Sequence, residues 1–376
     1  MPFGSRFGFF DTLFIPESVQ PVTCIGLALS SARRKDGAMA TTLKKDIIAI
    51  GGSTGSGAVL KKLVARLPAD LPASIFVSTH IPANGAGFLS DILSSNAHLP
   101  VSQAIDGQPI ERGRIYVAAP DRHLLLMGET IRLGPGPREN MARPAIDPLF
   151  RSAALAFGSR TVGVVLTGML NDGASGLSAI KARGGTTVVQ HPLDAEADQM
   201  PLAALESTNV DYVASADDLA GTLTDVIRSD AGPPQPVSDA LRLEVGIAAG
   251  VRLGSAHLRE LAEPSALSCP ECQGVLSEIR DSHPLRYRCQ IGHGFTAAFM
   301  ASRIEDVDEA IQIAMRIMEE RVTLVERMAR DARDGGRAAV AELYESRVEE
   351  YRRYATTLRE AAVATLRMGT RRPQDI

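Results

Sequence analysis

From Asp46 to about Ile227 the chain alternates short β-branched runs with stretches in which apolar residues recur every three or four positions. The pattern predicts strands at Ile47–Ile50, Ser74–Ser78, Gly113–Ala118, Leu124–Met127, Thr161–Leu166 and Thr186–Gln190, the third and fourth on either side of a Pro-Asp turn. Helices are predicted at Ala58–Leu67, where Leu60, Leu63, Val64 and Leu67 share a face, and at Phe88–Ser95, Asp147–Phe157 and Gly176–Arg183. The strand runs are continuously apolar, as expected of strands covered on both faces. This alternation predicts an α/β fold, a doubly wound and mainly parallel sheet flanked by helices, over residues 45–228.

The remaining stretches read differently. Residues 1–44 show no sustained periodicity and are expected to be a disordered or poorly packed extension; Met39, just ahead of the first strand, is a candidate start of translation. Residues 229–262 open with a Pro-rich run and read as a linker. A small Cys/His metal module is expected at 263–300. A helical hairpin is expected at 301–368, broken at Gly335-Gly336. Its apolar positions include Ile304, Val307, Ile311, Ala314, Met318, Val325 and Met328, then Val340, Tyr344, Val348, Tyr351 and Leu358. The two helices either bury each other or pair with partner helices.

Composition narrows the function classes. Of 376 residues, 45% are hydrophobic and 22% charged, so a wholly disordered chain is excluded. A net charge of −4 carries no basic excess for nucleic acid, and the absence of Trp argues against base-stacking platforms. No apolar run reaches the ~18–20 residues of a membrane span. Four cysteines are too few for a secreted disulfide scaffold, and the apolar stretch near Cys24 is followed rather than preceded by basic residues, the reverse of a signal peptide. A cytoplasmic protein is expected.

Three sites carry candidate chemistry. The first strand runs into Gly51-Gly52-Ser53-Thr54-Gly55-Ser56-Gly57 and a helix, which gathers backbone N–H groups at one point for either a phosphate or a serine nucleophile. The Gly-Lys-Ser/Thr ending of a P-loop is absent. The letters fit Gly-x-Ser-x-Gly, but no acid-then-His order follows convincingly. Taken alone, such a turn is most often only a turn. His80 follows the second strand, and Asp172 lies in a Gly-flanked loop after the strand ending at Leu166. Each has an ordinary explanation, a packed histidine and an N-cap. All three follow parallel strands, however, and therefore share one sheet edge, as nucleophile, base and orienting acid must.

These residues resemble a known family. Ile48–Gly55, Thr79–Pro82, Asp106-Gly107, Gly113–Pro120, Arg143–Phe150, Leu166–Ala174, Gly184–Gln190 and Met200-Pro201 are similar, in order and spacing, to the catalytic domain of the chemotaxis protein-glutamate methylesterases, the CheB family. The resemblance covers about half the chain. It implies a methylesterase domain at 45–228, with Ser53, His80 and Asp172 as triad and with Met169 and Thr54 at the oxyanion and substrate site. It implies hydrolysis of glutamyl methyl esters on a chemoreceptor or receptor-like protein, glutamine deamidation at the same site, and no cofactor for catalysis. Leu170 stands where the family usually has Gly, Ser56 where a second Gly is usual, and Ile81 where Met is common. About 46 residues precede the first strand, too few for a receiver domain of ~120 residues, so a stand-alone member is expected.

Cys269-Pro-Glu-Cys272 and Cys289-Gln-Ile-Gly-His293 have the C-x2-C…C-x3-H spacing of a closed tetrahedral site, which predicts structural zinc rather than a redox dithiol. His123 is expected to pack or cap a strand, Arg143 to sit in a salt bridge or touch an acidic substrate, and His191 carries no assignment. The expected partners are a methylated receptor and helices at the hairpin, with no nucleic acid. The alternative reading is a weakly or non-catalytic signalling adaptor that acts through the zinc module and hairpin.

Overall fold

Strand β1 (Ile47–Gly52) is buried along its whole length, as is β2 (Ser74–Thr79) beside it. Both are buried because helices cover each face of the sheet they belong to. In the computed structural model, which describes residues 43–81, 88–252, 258–259, 261–280, 282–302 and 304–369, seven strands form this sheet. The others are β3 (Val101–Gln103), β4 (Ile115–Val117), β7 (Thr161–Val165), β8 (Thr186–Gln190) and β9 (Tyr212–Ala214), and β5 (His123–Met127) pairs with β6 (Thr130–Gly134) in a separate hairpin. The order is β3-β4-β2-β1-β7-β8-β9 and every pairing in the sheet is parallel. From β1 the chain winds to one side through β2 and later returns to the other through β7. The loops after β1 and β7 therefore diverge, which opens the crevice where such sheets bind ligands.

One face is covered by α1 (Ser56–Arg66), α2 (Phe88–Ser94) and α6 (Leu219–Arg228), with Leu60, Leu63 and Leu223 fully buried. The other carries α3 (Ile146–Phe157), α4 (Ala174–Ala182), α5 (Gln199–Ser207) and α7 (Asp239–Ala248). Helix α3 lies so close to β1 that a Cβ on Gly51 would fall 2.2 Å from Ile146 Cγ2, and only glycine permits that approach.

One expectation needs correction. The 229–262 stretch is not wholly a linker, because α7 lies within it. Ser238 caps that helix by accepting from the Leu241 N–H, and Leu241, Val245, Ile247 and Ala248 are buried on its inner side. The strands expected at 113–118 and 124–127 are both present, but they lie in different sheets: β4 joins the parallel sheet, whereas β5 turns back on β6. The expected N-terminal extension, apart from Leu43 and Lys44, lies outside the described residues, as do Met39, Cys24 and Pro82.

Beyond α7, strands β10 (Ala262–Ser268), β11 (Val275–Ile279), β12 (Arg286–Cys289) and β13 (Gly294–Thr296) form an antiparallel sheet, followed by α8 (Ala297–Ser302). Helices α9 (Ile304–Asp334) and α10 (Ala338–Gly369) then pack as a hairpin, with Gly336 in the left-handed region at the turn. Their seam differs in part from the expected register. Small residues Ala329, Ala332, Ala341 and Ala355 are buried with Val348 and bring the helices close, while Met328 and Val340 remain exposed. Arg333–Glu345, Arg352–Glu326 and Arg359–Glu319 bridge the seam. No helix among the described residues is long and apolar enough to cross a membrane.

The antiparallel sheet is fastened to the α/β layers by a buried charge cluster. Arg288 donates to Glu139 at 3.1 Å and Glu244 at 3.2 Å, Arg286 pairs with Glu244 at 2.6 Å, and Arg151 pairs with Glu139. Burial opposes ionisation of both glutamates, but the surrounding arginines outweigh it, holding Glu139 well below the usual range and Glu244 down to about 2. A depressed carboxylate stabilises the fold above its unfolded pKa of 4.5, and that stability is lost as pH falls toward the folded value. Arg288→Met leaves two buried carboxylates short of a partner and should destabilise by about 3–5 kcal/mol, read from the urea midpoint at neutral pH. The deficit should shrink as pH falls below 4.5.

Candidate active site

Ser53 leaves β1 at the switch point. Its N–H donates to Thr167 O at 3.0 Å, which ties it to the segment after β7, and Ser56 Oγ returns to Ser53 O at 2.6 Å. Gly168 lies against it: a Cβ there would sit 2.9 Å from Ser53 Cβ and 2.1 Å from Met200 Sδ. Thr167 Oγ1 donates to Thr54 O at 3.0 Å, so both sides of the turn are held by one neighbouring residue.

His80 stands at the end of β2. Its Nδ1 is 3.1 Å from Ser53 Oγ and its Nε2 is 2.7 Å from Asp172 Oδ2. Asp172, nearly inaccessible, also accepts the N–H of Ile146 at 2.7 Å and that of Asp147 at 3.1 Å. These are the first N–H groups of α3, so the carboxylate sits at the positive end of a helix while bonding the imidazole. Residues 53, 80 and 172, distant in sequence, thus form one hydroxyl–imidazole–carboxylate chain. An Nε2–H donated to Asp172 leaves Nδ1 free to accept the serine proton.

The electrostatics suit such a transfer. Burial disfavours the imidazolium of His80, but the hydrogen bond and charge of Asp172, with Asp147 behind it, outweigh burial and raise its pKa above 6.5. Burial first, then the Asp172 charge, pushes the Asp147 carboxyl up to about 7. Among the described residues, neither the N–H of Thr54 nor that of Met169 has a hydrogen-bond partner, so both are available to an oxyanion beside Ser53. Leu170, in the place where glycine is expected, has φ of 63°, and its N–H is held by Gln199 Oε1 at 2.7 Å.

The other predicted residues fall where packing puts them. His123 is fully buried, with Nε2 2.9 Å from Pro137 O and Nδ1 accepting from the Ala145 N–H at 3.3 Å. Burial lowers its pKa, and it braces the chain just ahead of α3. His191 lies outside the site and caps the turn at Pro192–Asp194. Arg143 binds Asp121 through two nitrogens at 3.0 and 2.6 Å while lining a pocket of about 440 Å³ beside His80.

That pocket contains residues the sequence reading passed over: Arg138, Asn140 and Met141. The last two have φ of 48° and 64° in a tight turn closed by Glu139 and Ala142, and the only local signal was an asparagine, which tolerates this conformation. Asn171, also passed over, sits buried next to Asp172.

The four metal-ligand candidates converge. Cys269 and Cys272 come from the β10–β11 turn and Cys289 and His293 from the β12–β13 turn, with all ligand atoms within 4.8 Å of one another. Cys272 and Cys289 sulfurs are 3.7 Å apart, and His293 Nδ1 is 3.5 and 3.7 Å from Cys289 and Cys269 sulfurs. A tetrahedral ion with metal–sulfur bonds of about 2.3 Å requires sulfurs about 3.8 Å apart, so this set can hold a metal. Glu271 Oε2 lies 3.0 Å from His293 Nε2 and orients the ring from behind.

Residues 48–223 match the family described as CheB methylesterase. A Leptospira interrogans protein named "Putative protein-glutamate methylesterase/protein-glutamine glutaminase" is 39% identical over 176 residues, 46% of this chain and 91% of that protein. The protein-glutamate methylesterase/protein-glutamine glutaminase 2 of Anaeromyxobacter dehalogenans is 37% identical over 195 residues, 52% of this chain and 57% of that protein. The crystal structure of the Thermotoga maritima CheB methylesterase catalytic domain is 32% identical and aligns with 49% of this chain and 100% of that one, at a TM-score of 0.47.

If His80 accepts the serine proton, it must be neutral, and its raised pKa moves that requirement upward. Ester hydrolysis, followed as kcat/KM, should therefore fall on the acid side with an apparent pKa above 6.5. In Asp172→Asn that limb should move to lower pH, because the hydrogen bond and charge of Asp172 that raise the His80 pKa are lost, and kcat should drop by on the order of 10³–10⁴.

Proposed function

The chain belongs to the CheB methylesterase family, and on that premise we propose that it is a protein-glutamate methylesterase whose reaction runs through Ser53, His80 and Asp172. The hydrogen-bond chain joining these three at 3.1 and 2.7 Å is the observation that carries the reading.

Ser53 Oγ attacks the side-chain carbonyl carbon of a glutamyl methyl ester as its proton passes to His80 Nδ1. The backbone N–H groups of Thr54 and Met169 receive the oxyanion, each contributing on the order of 3 kcal/mol to the transition state. Asp172 stabilises the imidazolium without taking its proton. Collapse breaks the bond to methoxide, which leaves as methanol with the proton from His80. Water, deprotonated by the same imidazole, then cleaves the acyl-serine to free glutamate and Ser53. A glutamine side chain in place of the ester loses ammonia by the same steps, a reading supported by the glutaminase in the relatives' names.

The substrate class we infer is a methylated chemoreceptor or receptor-like protein. Its ester lies among acidic side chains, and Arg138 and Arg143 place positive charge on the pocket where they would lie. Zinc is the ion we assign to Cys269, Cys272, Cys289 and His293: three thiolates and an imidazole at tetrahedral spacing suit it, and four protein ligands leave no open position for chemistry. The hydrogen-bonded chain of Ser53, His80 and Asp172 argues against a non-catalytic adaptor.

Methanol release from a methylated receptor should fall at least 10³-fold in Ser53→Ala with the fold intact by circular dichroism. Turnover equal to wild type in that variant would sink the assignment. Arg138→Ala should raise KM several-fold with kcat near wild type, as expected for a group that binds substrate and transition state alike.

A further inference from the structure

Several contacts run from the Cys/His module into the walls of the candidate active site. Thr296 follows His293 by three residues, and its hydroxyl donates to Asn171 Oδ1 at 2.7 Å. Asn171 is buried and immediately precedes Asp172. The Thr296 N–H donates to Asn140 Oδ1 at 3.1 Å, and the Asn140 N–H donates to Gly294 O at 2.8 Å. Arg288, one residue before Cys289, spans the same boundary, donating to Gly292 O at 2.6 Å and to Glu139 Oε1 at 3.1 Å.

One of the residues held in this way, Asn140, begins a strained turn. Asn140 and Met141 are consecutive non-glycine residues in the left-handed region, a conformation that asparagine tolerates but that costs Met141 ~1–2 kcal/mol. Such a turn persists only where its surroundings over-determine it. Here the surroundings are the β12–β13 turn, and the strained residues line the pocket beside His80. Apart from the ion pairs of Arg286 and Arg288, the module has little apolar packing to keep that turn in place. Its buried apolar cluster is Cys269, Leu276, Cys289, Phe295 and Phe299, of which two are ligands themselves. A core this small generally depends on its metal for order.

We propose that the Cys/His module is a positioning device for the triad: its ion holds the β12–β13 turn, and through Thr296 and Gly294 that turn holds Asn171, Asp172 and the Asn140–Met141 rim in the reactive arrangement. The proposal rests on the esterase reading above. Thr296 and Asn171 are positioning residues, since neither touches the reacting atoms. Catalysis becomes metal-dependent although no ligand of the ion reaches the ester.

The test uses the full chain, a glutamyl methyl ester peptide as substrate and zinc content measured by elemental analysis. Thr296→Val and Asn171→Ala should each retain zinc and lower kcat by on the order of ten-fold with KM little changed. Thr296→Ser, which restores the hydroxyl, should restore kcat. The double variant should be no slower than the slower single, because both cut one link. Asn171→Ala leaves intact the cap that Thr296 Oγ1 provides to the Phe299 N–H, so it decides the matter if Thr296→Val unfolds. Chelation verified by zinc analysis should lower kcat of the wild type, and added zinc should recover it. Fully additive losses in the double variant, wild-type kcat in a zinc-free chain, or a chain that takes up no zinc would each overturn the proposal. Undiminished hydrolysis in Ser53→Ala would instead strike the esterase reading beneath it.

Discussion

The arrangement depends on one buried carboxylate. Asp172 accepts two N–H groups from the start of α3 and faces the imidazole of His80 with the oxygen that Ile146 also reaches. A carboxylate withdrawn from water needs such partners, and a helix N-terminus supplies them in fixed directions. Helix α3 therefore positions the acid as well as covering the sheet. Its own place is set where Ile146 meets the bare backbone of Gly51, two residues before Ser53. That glycine contact, together with the Ser53 N–H bond to Thr167 O, registers the strand that carries Ser53 against Asp172.

The same helix faces the Cys/His module on its other side. Arg151, one turn along from Asp147, pairs with Glu139, which also receives Arg288 from β12. Three arginines and two glutamates thus sit at the boundary between the parallel and antiparallel sheets, with Asp147 beside them, its carboxyl pushed up by burial and by Asp172. Buried ions of this kind do little for net stability compared with apolar packing, but they tolerate few alternative arrangements. They fix the relative placement of the two sheets, and that placement brings Thr296 to Asn171.

Much of the candidate site was legible because its logic is local. A strand, a glycine-rich turn and a helix place Ser53 at a sheet edge wherever the sheet lies, and the same holds for His80 and Asp172. The Cys/His cluster was legible through its spacing, which already encodes two tight turns. The α7 helix was missed because proline and glycine just before it outweighed its short apolar face. The hairpin seam was partly misread because alanine gives little signal although it lets helices approach closely.

The sequence by itself singled out the candidate side chains and the edge of a parallel sheet they share, since the alternation of buried strands and amphipathic helices leaves few ways to wind the chain. Only the tertiary structure decided which imidazole nitrogen faces serine, which backbone groups hold Asp172, and that the module abuts the loop carrying Asp172. Those features depend on contacts between residues separated by up to 156 positions, such as Thr296 and Asn140. Directions across such a gap are set by packing of whole layers, and no short window of sequence contains them.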